Sequence, residues 1–249
     1  MRCFIYFCYD GSAYHGWQRQ PGLATVQELM ENSLSKFLRF EAKLVGAGRT
    51  DAGVHAREMV AHIDLPEHTD CEWIKDKLNC MLPADISVLK VIPVADNAHA
   101  RFDAVSRTYK YFVSLNRLPF RRHYSYRLTC IPDFEIMNRT AKLLLSTSDF
   151  SSFSKLHSDS KTNICRVSLA EWTELSHDEW VFTITADRFL RNMVRAVVGT
   201  LLETGYKRAS VDGFYSIINK KDRCAAGDSV PACGLFLERI EYCEHVFKI

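Results

Sequence analysis

The chain of 249 residues is 47% hydrophobic and 25% charged, which is enough apolar material for one large domain or two smaller ones. This composition excludes a disordered or low-complexity protein. The formal net charge of +2 gives no global argument for a nucleic-acid-binding protein, so such a function would need a local concentration of basic residues.

The first hundred residues predict the element order β-α-β-β-α-β. The predicted elements are a strand over Arg2–Tyr9, a helix from Thr25, short strands near Lys43–Val45 and Met59–Asp64, a helix over Cys71–Met81 stopped by Pro83, and a strand over Ile86–Val91. Two capping boxes are predicted at the helix starts, Thr25 with Glu28 and Thr69 with Glu72.

The remainder of the chain predicts a similar order. Its elements are a strand over Arg107–Leu115, a helix over Phe134–Leu145, a hairpin of Arg166–Glu174 and Trp180–Thr185, a helix over Phe189–Glu203 with Gly205 as its C-cap, a helix over Val211–Asn219 and a last strand over Leu235–Glu241. We therefore expect an α+β protein of two ferredoxin-like (βαββαβ) halves, residues 1–100 and 101–249. Mainly antiparallel sheets would be flanked by helices, with a cleft between the halves as the binding site.

Basic residues are concentrated in one part of the sequence. Between Arg101 and Arg127 there are seven basic residues and one acidic residue, whereas the first hundred residues have ten basic and thirteen acidic ones. Aromatic residues alternate with the basic ones in this stretch, a pattern that suits the backbone and exposed bases of a folded RNA. A strand pair with a charged outer face would account for the pattern equally well.

The nine cysteines include no C-x-x-C pair and no nearby histidine at zinc-ligand spacing, so we expect no structural metal site. Their odd number and apolar surroundings predict buried free thiols of a cytosolic protein. The N-terminal apolar run is too short for a signal peptide, and no segment is long enough to span a membrane. The sequence thus predicts a cytoplasmic protein.

One glycine-rich segment combines a guanidinium with a carboxylate. It reads Gly46-Ala47-Gly48-Arg49-Thr50-Asp51-Ala52-Gly53-Val54-His55-Ala56. The plainest interpretation is a tight turn in which Asp51 caps its own backbone and Gly53 has a positive φ. A phosphate-binding P-loop is excluded because no Gly-Lys-Ser/Thr follows, and a zinc hydrolase because His55 has no partner ligand at helical spacing.

This segment resembles the active-site motif of the TruA family of tRNA pseudouridine synthases. Further motifs match the family in order: Tyr9-Asp10-Gly11-Ser12, Gly16-Trp17-Gln18-Arg19-Gln20, Thr25-Val26-Gln27-Glu28, Phe102-Asp103-Ala104, Arg107-Thr108-Tyr109-Lys110-Tyr111, Asp149-Phe150-Ser151-Ser152-Phe153, Phe189-Leu190-Arg191-Asn192-Met193-Val194-Arg195, Val198-Gly199-Thr200-Leu201 and Pro231-Ala232-Cys233-Gly234-Leu235. The resemblance therefore covers nearly the whole chain. Mild departures are Ser12, where the family more often has Thr, and Tyr14, where Phe is usual.

The resemblance implies the isomerisation of uridine to pseudouridine, which requires no metal, redox cofactor or nucleotide cofactor. It makes Asp51 the essential carboxylate, acting as nucleophile or base. Attack on C1′, attack on C6 and removal of a 2′-proton all remain open. The resemblance also places Arg195 beside this carboxylate as a cation that keeps it ionised. On the predicted helix Arg195 shares a face with Arg188 and Arg191. The plain interpretation of Arg188 and Arg191 is a solvated helix face, and contact with RNA phosphates is the weaker hypothesis.

The remaining site residues follow from the need to extrude the target uracil. The resemblance assigns Tyr109 as the aromatic platform for the base and Leu235 as the residue closing its opposite side. On plain structural grounds Tyr109 is an inward strand residue and Leu235 a core leucine. The resemblance leads us to expect that Arg49 replaces or braces the extruded nucleotide, with phosphate anchoring as the alternative.

The substrate implied by the resemblance is the tRNA anticodon stem-loop, at nucleotides 38 to 40, bound by a homodimer. Ser154–Thr162, rich in Ser and Lys, is expected to form a flexible loop over the RNA. Two alternatives stay open, a non-catalytic RNA-binding protein on the same scaffold and a pseudouridine synthase that acts on another RNA.

Overall fold

The computed structural model describes residues 1–155 and 162–247, which divide into two compact units. The first unit contains Met1–Ser106 together with the C-terminal segment from Leu237, and the second contains Arg107–Phe236. The predicted loop over Ser154–Thr162 falls mainly on residues 156–161, which lie outside the described residues.

The first unit has the predicted order β-α-β-β-α-β. Its elements are β1 (Arg2–Tyr9), α1 (Val26–Leu38), β2 (Val45–Gly46), β3 (His55–Asp64), α2 (Cys71–Met81) and β4 (Ile86–Pro93). The strands pair antiparallel in the order β4-β1-β3, and β2 pairs with β3. The C-terminal strand β9 (Leu235–Tyr242), from Leu237 onward, adds to this sheet beside β3.

The core of this unit lies around β1. This strand lies between β3 and β4, so its side chains are buried on both faces and its sequence is a continuous apolar run rather than an alternating one. The apolar stripe of α1 is buried at Val26, Met30 and Leu34, as its helical spacing predicts. In α2 the buried residues are Ile74 and Leu78.

Both predicted capping boxes are wrong, although both helices occur. The Thr25 side chain makes no capping hydrogen bond, and its Oγ1 is buried without a partner among the described residues. At α2 the N-cap is Asp70, whose carboxylate accepts hydrogen bonds from the backbone N–H groups of Glu72 and Trp73. Thr69 instead donates its hydroxyl to the Pro66 carbonyl. A carboxylate next to the helix dipole replaces the predicted threonine cap.

The second unit has the order β-β-α-β-β-α-α before the last strand. Its elements are β5 (Ala104–Ser114, which begins in the first unit), β6 (Tyr126–Arg127), α3 (Phe134–Ala141), β7 (Val167–Ser176), β8 (Glu179–Ala186), α4 (Met193–Gly205) and α5 (Val211–Lys220). The strands β5-β8-β7 pair antiparallel in that order, and β6 pairs parallel with β5. The predicted α+β class, with mainly antiparallel sheet flanked by helices, is confirmed.

The start of α4 differs from the prediction in a way that affects the site. Asn192 has φ +65°, a left-handed conformation that an asparagine tolerates, so the helix begins at Met193 rather than Phe189. Arg188 and Arg191 therefore precede the helix and share no helical face with Arg195. Gly205 is the last residue of α4 and not its C-cap, which is Tyr206.

The nine thiols are free, but the prediction that they are buried is wrong for several of them. Cys3 and Cys165 are buried, whereas the exposed thiols are those of Cys80, Cys130, Cys224 and Cys243. Among the described helices, none combines the length and apolar character needed to cross a membrane.

Candidate active site

Asp51 lies in a turn between β2 and β3. The Val54 N–H donates to the Asp51 carbonyl at 3.2 Å, and Gly53 has φ +76°, which confirms the predicted positive φ. The Asp51 residue is half-buried and Arg49 is exposed. The turn expected on plain structural grounds is thus present, and it presents a carboxylate that solvent reaches only in part.

Thr50 connects this turn to the rest of the first unit. Its buried hydroxyl lies 2.8 Å from the Tyr9 hydroxyl and accepts a hydrogen bond from the Trp17 N–H at 3.1 Å. Gly16, with φ +88°, allows the chain to pass so close that a Cβ atom there would lie 2.2 Å from the Thr50 carbonyl oxygen. The backbone next to Asp51 is therefore held from two sides.

His55 fixes the other end of the turn. Its side chain is 1% exposed, and Nδ1 lies 3.0 Å from Asp10 Oδ1 and 3.1 Å from the Gly11 backbone nitrogen. A neutral imidazole accepts from the Gly11 N–H, and a protonated one donates to the Asp10 carboxylate. In either state the ring holds the start of β3 against the end of β1.

The same part of the first unit holds a hydrogen-bonded tyrosine. Tyr14 donates its hydroxyl to Asp85 Oδ1 at 2.6 Å. Burial raises the pKa of Tyr14, and the Asp85 carboxylate raises it further, so the hydroxyl remains protonated at neutral pH. Since Gly53 donates its N–H to the Tyr14 carbonyl at 3.2 Å, this residue also contacts the Asp51 turn.

In the second unit, Tyr109 and Tyr111 lie on β5 but differ in burial. Tyr111 is fully buried and donates its hydroxyl to the Pro231 carbonyl at 2.8 Å. Tyr109 is partly exposed, and its ring packs edge-on against Phe189 with centroids 4.9 Å apart. The residue buried inward from this strand is thus Tyr111, whereas Tyr109, for which an inward position was the plain structural interpretation, keeps accessible surface.

Arg195 lies in the first turn of α4 and is fixed by a short backbone segment. Its Nε donates to the Val230 carbonyl at 2.7 Å, and the Val230 N–H donates to the Arg195 carbonyl at 3.2 Å. Burial raises the pKa values of Tyr111 and Cys233, and the positive charge of Arg195 opposes both shifts. Arg195 is therefore a positioned cation inside this part of the unit.

The segment that holds Arg195 packs closely on α4. A Cβ atom on Gly199 would lie 1.8 Å from the Asp228 carbonyl oxygen, and Gly227 donates its N–H to Thr200 Oγ1 at 3.0 Å. The Ser229 hydroxyl lies 2.5 Å from Asn192 Nδ2 and 2.9 Å from an Arg223 guanidinium nitrogen. The segment then leads to Leu235, which is 5% exposed at the start of β9.

The structure therefore places Arg49 and Asp51 in the first unit and Tyr109, Arg195 and Leu235 in the second. An ion pair between Asp51 and Arg195, and a base held between Tyr109 and Leu235, stay predictions. Thr50, Asp10 and the Val230 segment were not predicted to have a role. Within residues 1–155 and 162–247, no group of three or more His, Cys, Asp or Glu side chains is arranged to hold a metal ion.

Comparison with known proteins assigns the chain to a family. The sequence model of a family described as tRNA pseudouridine synthase matches residues 6–103 and 140–243, most of the chain. This chain belongs to the tRNA pseudouridine synthase family. The TruA resemblance is thereby confirmed, and with it membership in a family of isomerases.

Curated members of the tRNA pseudouridine synthase family align with nearly the full chain. A protein named tRNA pseudouridine synthase A from Bacteroides thetaiotaomicron is 55% identical over 99% of this chain and 93% of its own length. Proteins of the same name from Porphyromonas gingivalis and Bacillus subtilis are 50% and 38% identical. The first alignment covers 99% of both chains, and the second covers 97% of this chain and 98% of the relative.

Proposed function

We propose that this chain converts uridine to pseudouridine in the anticodon stem-loop of tRNA, at nucleotides 38 to 40, with Asp51 as the essential carboxylate. Membership in the tRNA pseudouridine synthase family supports the reaction, and the name of its full-length relatives supports tRNA as the substrate. The observation that carries the role of Asp51 is its position in a turn held at both ends, by Thr50 and by His55.

The reaction rearranges one nucleotide without net gain or loss of atoms. The bond between N1 and C1′ breaks, the base rotates, and a bond between C5 and C1′ forms. C5 then loses its hydrogen to solvent, and N1 gains a proton. Such a step needs an ionised carboxylate beside the sugar and base, and enclosure with an uncharged uracil would favour protonation of that carboxylate.

Arg195 is the cation that opposes this protonation. Its guanidinium is already held by Val230, so little reorganisation is needed when charge develops at the reacting centre. The fixed geometry is what a cation paired with Asp51 requires. Arg188 and Arg191, which precede α4, are proposed only as contacts to RNA phosphates.

The extruded base would stack on Tyr109, with Leu235 on its other side and Arg49 against the nucleotide. The packing of Tyr109 against Phe189 restricts its ring before RNA binds, which lowers the entropy lost on stacking. The exposure of Arg49 next to the Asp51 turn suits a side chain that meets the RNA first.

Tritium at C5 of uracil provides the test, since isomerisation releases that hydrogen to water. We expect the wild-type protein to release tritium from tRNA transcripts whose labelled uridine lies at position 38, 39 or 40, and Asp51→Ala to release none. Equal release from an unrelated folded RNA would indicate a synthase for other RNA. Tight tRNA binding without release would indicate a non-catalytic RNA-binding protein. Both results would contradict the proposal.

A further inference from the structure

A cavity in the second unit has features that the reaction does not require. It has a volume of about 380 Å³, within the range of small-ligand sites. It is lined by the end of β5, by residues 117–119, 121–122 and 125–127, and by Pro231 and Cys233. Four of the lining residues are arginines: Arg117, Arg121, Arg122 and Arg127.

The charges around this cavity are only partly compensated. Arg121 forms an ion pair with Glu179, and Arg122 donates to the Pro119 carbonyl at 2.9 Å. The guanidinium groups of Arg117 and Arg127 have no hydrogen bond or ion pair with any residue of 1–155 or 162–247. No acidic residue is among the described residues that line the cavity. The cavity is therefore a site of positive potential.

Ser125 provides a second, independent observation. It lines the same cavity, is 7% exposed, and its hydroxyl is buried without a hydrogen-bond partner in the described part of the chain. Buried hydroxyls nearly always have a partner, because leaving one unpaired has a free-energy cost. An oxyanion in the cavity would accept a hydrogen bond from this hydroxyl.

The remaining walls suit the rest of a nucleotide. Leu118, Pro119 and Cys233 contribute apolar surface, and Tyr126 contributes an aromatic ring. A phosphate beside apolar and aromatic surface is the combination that a nucleotide presents. Apart from Pro231 and Cys233, the lining residues lie between the two stretches matched by the family model, residues 6–103 and 140–243.

We propose that this arginine cavity binds a phosphate group of the tRNA, at a nucleotide other than the target uridine. The inference rests on the proposed function, since it takes tRNA as the substrate. The cavity wall at Pro231 continues the segment that holds Arg195 through Val230. A nucleotide bound here anchors the RNA to the unit that carries Tyr109 and Arg195.

The first test removes the two uncompensated charges. We expect Arg117→Gln/Arg127→Gln to raise the Kd and the KM for tRNA about tenfold with kcat unchanged, because phosphate contacts position the substrate. The slope of log Kobs against log salt should fall by about one to two, as two phosphate contacts are lost. The matched control Arg139→Gln/Lys142→Gln removes two exposed charges on and beside α3 and should change neither. Equal losses in both double variants, or none in either, would overturn the proposal.

The second test uses Ser125→Ala and inorganic phosphate as the probe. Removing an unpaired hydroxyl should leave the Tm of the free protein unchanged or raise it, and should reduce the Tm increase produced by phosphate. A lower Tm of the free protein with an unchanged response to phosphate would show that the hydroxyl is structural, and would overturn its role in the cavity.

A third measurement separates RNA phosphate from free ligands. Uridine 5′-monophosphate is expected to compete with tRNA for binding to the wild-type protein but not to the Arg117→Gln/Arg127→Gln variant. Saturable binding of the mononucleotide that leaves the Kd for tRNA unchanged would identify a free nucleotide as the ligand and overturn the RNA anchor. These binding measurements test the cavity even if the wild-type protein releases no tritium. Absence of tritium release would refute only the proposed reaction.

Discussion

At the scale of single residues, the Asp51 turn depends on the side chains on either side of it. Thr50 uses one hydroxyl to contact both the end of β1 and the segment around Trp17. His55 brings the start of β3 to Asp10 and Gly11. A displacement of about 1 Å at a reacting group is enough to lower a rate strongly, so the proposed role of Asp51 predicts that these contacts affect catalysis as well as stability.

Thr50→Val tests this dependence, since valine keeps the shape of the side chain and removes its hydroxyl. We expect the free energy of unfolding to fall by about 1–3 kcal/mol, because the Tyr9 hydroxyl and the Trp17 N–H lose the Thr50 hydroxyl as their partner. We expect kcat for tritium release to fall at least about tenfold with little change in KM. Thr50→Ser keeps the hydroxyl and should retain most of kcat. Full activity in Thr50→Val would contradict the positioning role of Thr50.

His62 in β3 predicts how the stability of the first unit depends on pH. The pKa of His62 is lowered to about 4, mainly by burial and also by the positive charge of Arg2 and by the neighbouring His99, against the opposing effects of Asp64 and Asp103. Nδ1 accepts a hydrogen bond from the Ala100 N–H at 3.1 Å, which requires the neutral ring. The unfolded chain therefore binds a proton between pH 6.5 and 4 that the folded chain does not.

The free energy of unfolding should accordingly fall as pH decreases from 6.5 to 4, with His62 contributing about 3 kcal/mol of the loss. His62→Asn keeps an acceptor for Ala100 but cannot be protonated, so urea denaturation should show a smaller decrease over the same pH range. If the free energy of unfolding depended on pH equally in the wild type and in His62→Asn, the loss of stability would have to come from groups other than His62.

At the scale of elements, the sequence predicts what local chemistry determines and misses what distant contacts determine. The bounds of α2, Cys71–Met81, follow from an apolar stripe and from Pro83, both visible in the sequence. The start of α4 could not be predicted in this way. The sequence from Phe189 to Asn192 fits a helix, but Asn192 adopts a left-handed conformation and its side chain forms a hydrogen bond with Ser229. The partner of His55 is likewise hidden, since Asp10 is far away in sequence and near only after β1 and β3 pair.

The close packing of α4 against the Val230 segment gives a prediction for Gly199. Gly199→Ala would place a Cβ atom 1.8 Å from the Asp228 carbonyl oxygen, so the backbone at Asp228 must move. This movement would weaken the hydrogen bond from Arg195 to the nearby Val230 carbonyl. We expect a loss of about 1–3 kcal/mol in the free energy of unfolding and a lower kcat. Gly213→Ala in α5, where the nearest atom would be Ser210 Oγ at 3.3 Å, is the control and should stay within about 1 kcal/mol of the wild type. Equal effects of the two substitutions in thermal denaturation would contradict this account.

At the scale of the whole molecule, the net charge of +2 conceals an uneven distribution. Acidic residues outnumber basic ones in the first hundred residues, and basic residues concentrate between Arg101 and Arg127, where the arginine cavity lies. Binding of tRNA should therefore be strongly salt-dependent despite the near-neutral chain, since the proposed binding mode relies on local phosphate contacts.

The homodimer implied by the TruA resemblance is a prediction at the same scale. Sedimentation equilibrium should give a mass of about twice the 28.6 kDa of one chain. A mass near 28.6 kDa at the concentrations used for activity measurements would contradict it.

The central claim is that Asp51 carries out the reaction on a uridine of tRNA. The most direct measurement is tritium release from C5-labelled tRNA by Asp51→Asn, which keeps the size of the side chain and removes its charge, combined with the Kd of the same variant for tRNA. We predict tRNA affinity within about threefold of the wild type, corresponding to less than about 0.7 kcal/mol, and no tritium release. Release at the wild-type rate by Asp51→Asn would contradict the account.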